Sequence, residues 1–119
     1  MQAFFQGKPN CVTCWEALDA RLRERYPTLA RRIQKTQISY DDPKLFCCVS
    51  MPRWKVDRPS IVVTFVIDAP IADVRIFQAV QVTPNRWTHH VQISDVQEVD
   101  EQLMVWIDAS HQLKCGGKR

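Results

Sequence analysis

The chain has 119 residues, 45% of them hydrophobic and 24% charged, and 16 Lys or Arg against 13 Asp or Glu give a net charge of +3. That length suits one domain able to bury roughly two thirds of its unfolded surface, and the composition excludes intrinsic disorder. The charge excess falls short of the basic footprint of a dedicated nucleic-acid binder, and the longest apolar run, residues 61–67, is interrupted by Thr64 and too short for a membrane-spanning helix.

The opening MQAFFQGKPN lacks the basic stretch and apolar core of a secretory signal, which points to a cytoplasmic protein. Apolar residues then fall at Cys11, Cys14, Trp15, Leu18, Leu22 and Tyr26, three or four apart, predicting an amphipathic helix from about Asn10 to Tyr26. Asn10 is placed to cap it and Pro27 to end it. Cys11 and Cys14 have metal-ligand or redox spacing, but no second pair follows. Cys47 and Cys48 are neighbours on opposite faces of a strand, and Cys115 stands near the end. Five cysteines in a reducing compartment read as free thiols, and neither metal nor cofactor is expected.

Strand-like runs follow at residues 32–40, 45–51, 60–67, 76–82 and 86–93, separated by Asp41-Asp42-Pro43, Pro52-Arg53 and Pro84-Asn85. Within residues 33–40, alternation puts Lys35, Gln37 and Ser39 on one face and Thr36, Ile38 and Tyr40 on the other. Within residues 86–93, Arg86, Thr88, His90 and Gln92 share a face, and Trp87, His89, Val91 and Ile93 share its opposite. Trp87, Val91 and Ile93 suit a core, which assigns Arg86, Thr88 and His90 to the open side and makes His89 a buried histidine bonded to a neighbour. A slip of one residue would exchange the two histidines. Residues 69–75 are compatible with a single helical turn. A second helix is predicted from Ser94 or Asp95 to Leu113, with Val96, Val99, Leu103, Trp106, Ile107 and Ser110 on one stripe. Ser94 and Gln97 have capping-box spacing, acids crowd its start, and Gly116 and Gly117 suit its stop.

Short links favour antiparallel neighbours. The expected architecture is a single α+β domain over residues 1–119, ordered from about 4 to 113 with a tail at 115–119. It has an antiparallel sheet of four to five strands, with an N-terminal and a C-terminal helix packed on one face. Arg21, Arg23, Arg25, Arg31, Arg32 and Lys35 crowd the first third, and Asp95, Glu98, Asp100, Glu101 and Asp108 the last helix, which reads as complementary solvated faces.

Phe4-Phe5-Gln6-Gly7-Lys8-Pro9, Ile33-Gln34-Lys35-Thr36-Gln37-Ile38-Ser39, Val62-Val63-Thr64-Phe65 and Arg86-Trp87-Thr88-His89-His90 occur in that order, followed by Val99-Asp100-Glu101-Gln102-Leu103 and Trp106. Together, from Phe4 to about Leu113, they resemble a bacterial family of unknown function, numbered 5655 and often labelled predicted transport proteins. The resemblance implies that Gln34, Lys35, Thr36, Gln37, Arg86, Trp87, Thr88, His89 and His90 belong to the family's signature. The transport label has no membrane-spanning sequence behind it here. The loop after Met51 is shorter than the resemblance leads one to expect, which argues against a lid there.

Three functions compete. In the first, Lys35, Gln37, Arg86, Thr88 and His90, with Trp87, His89 and Trp54 as additional contacts, bind a small anionic ligand or an acidic peptide. In the second, Arg31, Arg32, Lys35, Arg53, Lys55, Arg58 and Arg86 hold nucleic-acid phosphates while Trp54 or Trp87 stacks on a base. In the third, His89 or His90 acts as general base beside Asp100, Glu101 or Cys47, the sharpest version being a Cys47 or Cys48 thiolate activated by His89. The chain lacks a phosphate loop, a nucleophile elbow and a His-Glu-x-x-His helix, so the binding module is preferred. The bland alternative to all three is a module that chiefly pairs with itself, as a homodimer, or with another protein, through the exposed sheet face or an edge strand and with Trp54 as an anchor.

Overall fold

The computed structural model describes residues 9–52 and 59–116. Helix α1 (Pro9–Arg25) is followed by strands β1 (Ala30–Ile33), β2 (Gln37–Asp41), β3 (Leu45–Ser50), β4 (Ile61–Ile67), β5 (Ile76–Thr83) and β6 (Arg86–Ile93), then by a 3-10 turn at Val96–Glu98 and helix α2 (Glu101–Cys115). The six strands form one antiparallel sheet in the order β1-β2-β3-β4-β6-β5.

Helix α1 buries the predicted stripe of Cys11, Cys14, Trp15, Leu18 and Leu22. Asn10 does not cap it. The helix begins at Pro9, whose fixed φ and missing N–H suit a first turn, and the Asn10 amide donates to Pro59 O and Ser94 O at 3.0 and 2.8 Å, tying the helix start to two other segments.

The single strand expected over residues 32–40 is two strands, and this accounts for the sheet exceeding the expected four to five. Ile33 pairs with Ile38, and Gln34 N donates to Gln37 O at 2.8 Å, so Lys35 and Thr36 form a tight turn. Apolar alternation on β2 then buries Ile38 and Tyr40 fully. Residues 69–75 form no helix; Ile76 N on Asp73 O closes a turn that leads into β5.

The predicted second helix is interrupted. Asp95 and Glu98, rather than Ser94 and Gln97, make the capping box, but it heads only the 3-10 turn. Asp100 then caps α2, its side chain accepting from Leu103 N at 3.1 Å. Val96, expected on the apolar stripe, is exposed, whereas Met104 is buried.

Both helices lie on one face of the sheet. Trp15 of α1 donates from Nε1 to the Tyr40 hydroxyl at 2.9 Å, while Trp106 of α2 stacks on Phe65 of β4. At a bulge between β2 and β3, Phe46 turns toward the helices, its ring edge-on to Tyr26 and His111. The Ser110 hydroxyl enters that gap, accepting from Val66 N and donating to Phe46 O. The helices are joined by Arg21 and Arg25 on Glu101 and by Arg25 on Asp108. Each large apolar side chain buried between helices and sheet contributes on the order of 1.5–3 kcal/mol. Among the described residues, no helix is long and apolar enough to cross a membrane.

Candidate functional site

Sheet register fixes which side chains look away from the helices. Ile61, Val63, Phe65 and Ile67 of β4 pair with Ile93, Val91, His89 and Trp87 of β6, and this set faces the helices. The alternate residues face away. One row of pairs runs across five strands: Ser39, Cys48, Thr64, His90 and Gln78. At about 4.8 Å per strand this is a polar band roughly 20 Å long.

The band is hydrogen-bonded at both ends. The Ser39 hydroxyl donates to Gln34 Oε1 at 2.7 Å, and Gln37 Nε2 donates to Ser39 Oγ at 2.8 Å and lies 3.5 Å from Cys48 Sγ. At the other end Thr64 Oγ1 and His90 Nδ1 are 3.0 Å apart, and the Phe77 ring stands 5.9 Å from the His90 ring at 30°. His90 Nε2 has no hydrogen-bond partner among the described residues. A depression of about 380 Å³ opens over the middle of this face. Among the described residues it is lined by Thr36, Gln37, Cys48, Ser50, Met51, Val62, Thr64, Phe77, Gln78 and His90. A volume of this order suits a small molecule.

Of the site residues proposed from sequence, the depression brings Gln37 and His90 together. Lys35 is exposed in the β1–β2 turn and does not line the depression, because the turn ends the alternation that was to carry it there. Thr36, assigned to the other face, does line it for the same reason. Thr88 and Arg86 share the face but lie farther along β6, Thr88 beside Val66 and Val80, Arg86 with its guanidinium on Asn85 O. Trp87 is half-buried on the helix side. Trp54, Arg53, Lys55 and Arg58 lie outside the described residues. The sequence reading missed Thr64, Cys48, Phe77 and Gln78. Thr64 had a signal, as the polar interruption of an apolar run, but Phe77 and Gln78 had none, because a register shift between Ile76 and Gln78 breaks the alternation.

His89 is fully buried, with Nε2 accepting from Ile71 N at 3.1 Å and Nδ1 at 3.0 Å from Trp87 O. An N–H donor to one nitrogen and a carbonyl acceptor on the other define a neutral imidazole protonated at Nδ1. Burial holds its pKa below the ordinary 6.5. Cys47 is equally buried and its thiol is pushed well up by desolvation. Phe65 separates them, pairing with Cys47 on one side and His89 on the other, so they stand two strands, about 10 Å, apart. A Cys47–His89 dyad is therefore overturned. The Cys48 thiol is also raised by burial, which disfavours a thiolate nucleophile. Neither Asp100 nor Glu101 faces a histidine: Asp100 caps α2 and holds Arg75, and Glu101 holds Arg21 and Arg25.

Cys11 and Cys14 are buried in the core, where Cys11 Sγ donates to Ser60 O and burial pushes Cys14 up to about 11. Among the described residues, no group of three or more His, Cys, Asp or Glu side chains is placed to hold a metal ion. Two shallow grooves along α1, of about 450 and about 440 Å³, are lined by arginines engaged elsewhere: Arg23 and Arg31 on Asp19, Arg21 and Arg25 on Glu101.

A family model described as Domain of unknown function (DUF5655) matches residues 1–114 of the chain. No curated protein matches it. No solved structure matches it either.

Proposed function

Taking as premise that the chain belongs to the domain-of-unknown-function family DUF5655, we propose that it is a non-catalytic binding module whose site is the depression on the sheet face away from the helices. One observation carries the reading: Gln37 and His90, on strands far apart in sequence, line one recess of about 380 Å³ together with Thr64 and Phe77. Hydroxyl, amide and imidazole groups orient a ligand, while Val62, Met51 and Phe77 supply apolar contact. Catalysis has no matching support, because His89 spends both ring nitrogens within the fold and the cysteine thiols of β3 are raised by burial.

Among the described residues the lining contains no Lys, Arg, Asp or Glu, and burial keeps His90 below its ordinary pKa, so at neutral pH the recess they form suits a small uncharged polar molecule with a planar face. An anionic ligand or an acidic peptide would need a cation at the rim. Lys35, exposed and next in sequence to the lining residue Thr36, is the candidate for that cation. Nucleic-acid binding loses two of its residues: Arg31 lies over the Trp15 ring with its guanidinium on Asp19, and Arg32 grips both Asp41 carboxylate oxygens.

The test is a fragment library screened by two-dimensional NMR. The reading expects ligands whose binding shifts the amide signals of Gln37, Thr64, Gln78 and His90 together, and whose affinity falls about tenfold or more in His90→Ala. Fragments that all map to the helices, or that bind the variant equally, would contradict it.

A further inference from the structure

Among the described residues, the side chains around His90 are mostly uncharged. On its own strand Thr88 and Gln92 share its face, with Arg86 beyond them on Asn85 O and His89 on the opposite side. Thr64, Val62 and Val66 look at it from β4, Gln78, Val80 and Phe77 from β5, and Cys48 from β3 beyond Thr64. Among these described neighbours, the cysteine thiol is held neutral by burial, so His90 is the group that changes charge near neutrality, and no carboxylate stands by to balance it.

Thr64 makes that change possible without rearrangement. A hydroxyl donates to Nδ1 when the ring is neutral and accepts from Nδ1–H when it is charged, so the 3.0 Å contact serves both states. Nε2, without a partner among the described residues, is left for a ligand oxygen, and Phe77, its ring 5.9 Å from the His90 ring, adds an apolar side chain to the same lining.

Resting on that reading of the depression, we infer that the site takes small planar carboxylates and takes them with a proton: His90 is charged on binding and receives one carboxylate oxygen at Nε2. An anion that favours imidazolium raises the proton affinity of His90, and by linkage a lower pH raises the affinity for the anion until free His90 is already charged. An isosteric uncharged ligand has no such dependence.

Benzoate and benzamide are the probes, titrated by NMR between about pH 7.5 and about pH 5.5, the range in which imidazoles change charge. Benzoate is expected to bind about tenfold more tightly at the lower pH, and the His90 ring to titrate at higher pH when benzoate is present, with benzamide affinity flat. In His90→Gln, checked for folding by its unfolding midpoint, the benzoate slope disappears. A pH-independent benzoate affinity, or a slope that survives in His90→Gln, overturns the inference while leaving the depression as a binding site if benzamide still shifts the lining signals. Should neither probe shift those signals, the inference falls and the site reading falls with it.

Discussion

His89 and His90 are adjacent in the chain and opposite in role. The first is sealed under the helices, with both nitrogens bonded and its ring stacked on Phe65, so it acts as a polar core residue; the second keeps one nitrogen for the recess. The same division between fold and site holds at Tyr40. Its hydroxyl accepts from Trp15 Nε1 and donates to Asp19, whose carboxylate also takes Arg31. Tyr40→Phe removes the hydroxyl that links the indole N–H to the Asp19 carboxylate, a loss of about 1–3 kcal/mol in denaturant-measured stability. The variant should bind ligands in the recess unchanged, since Tyr40 faces the helices. A variant as stable as the parent would show that this buried chain of bonds contributes little.

At the scale of elements, the junction between the sheet and α2 depends on Asp100, which caps the helix through Leu103 N and pairs with Arg75; Arg75 also reaches Glu98 O and lies over Trp106. Cap and charge separate by substitution. Asp100→Ala should cost about 1–2 kcal/mol, whereas Asp100→Asn, which keeps a capping oxygen and loses a half-exposed ion pair, should cost about 0.5 kcal/mol; equal losses would assign the whole effect to the charge. The β1–β2 turn is the opposite case. Lys35 is exposed there, so Lys35→Ala should shift thermal stability by no more than about 0.5 kcal/mol. These two elements also mark where the sequence is and is not informative. The α1 stripe was legible because six apolar positions kept one spacing, and the β6 faces because Val91 and Ile93 chose the core side. The turn at Lys35-Thr36 was not, since no Gly, Pro or Asn marks it and polar alternation runs straight through. The break before α2 carried a signal, with capping residues at both Asp95 and Asp100, but two caps so close can be ranked only when the tertiary partners of each are known.

For the whole molecule, protonation couples the two faces to stability. Burial holds His89 and His90 below their ordinary 6.5, so as the pH falls past that value the unfolded chain takes up protons that the folded chain refuses, and stability declines toward the folded values. A second decline follows below the ordinary carboxylate value of 3.8. Asp42 is held under it by hydrogen bonds from His111 and Thr28. Asp100 is held under it by Leu103 N and Arg75 against an opposing burial penalty. Unfolding midpoints followed from neutral pH into acid should fall in these two stages, and a profile flat until the carboxylate stage would mean that the histidines titrate alike folded and unfolded. The sheet register brings Gln37 and His90, which strand alternation in the sequence already assigned to one polar surface, over one recess, and the binding site stands or falls with this convergence. Its most direct test is a crystal of the protein soaked with a cocktail of small polar fragments. Density is predicted over the polar band between Gln37 and Phe77, within hydrogen-bond reach of His90 Nε2, and fragments found only along the outer surfaces of α1 and α2 would contradict the account.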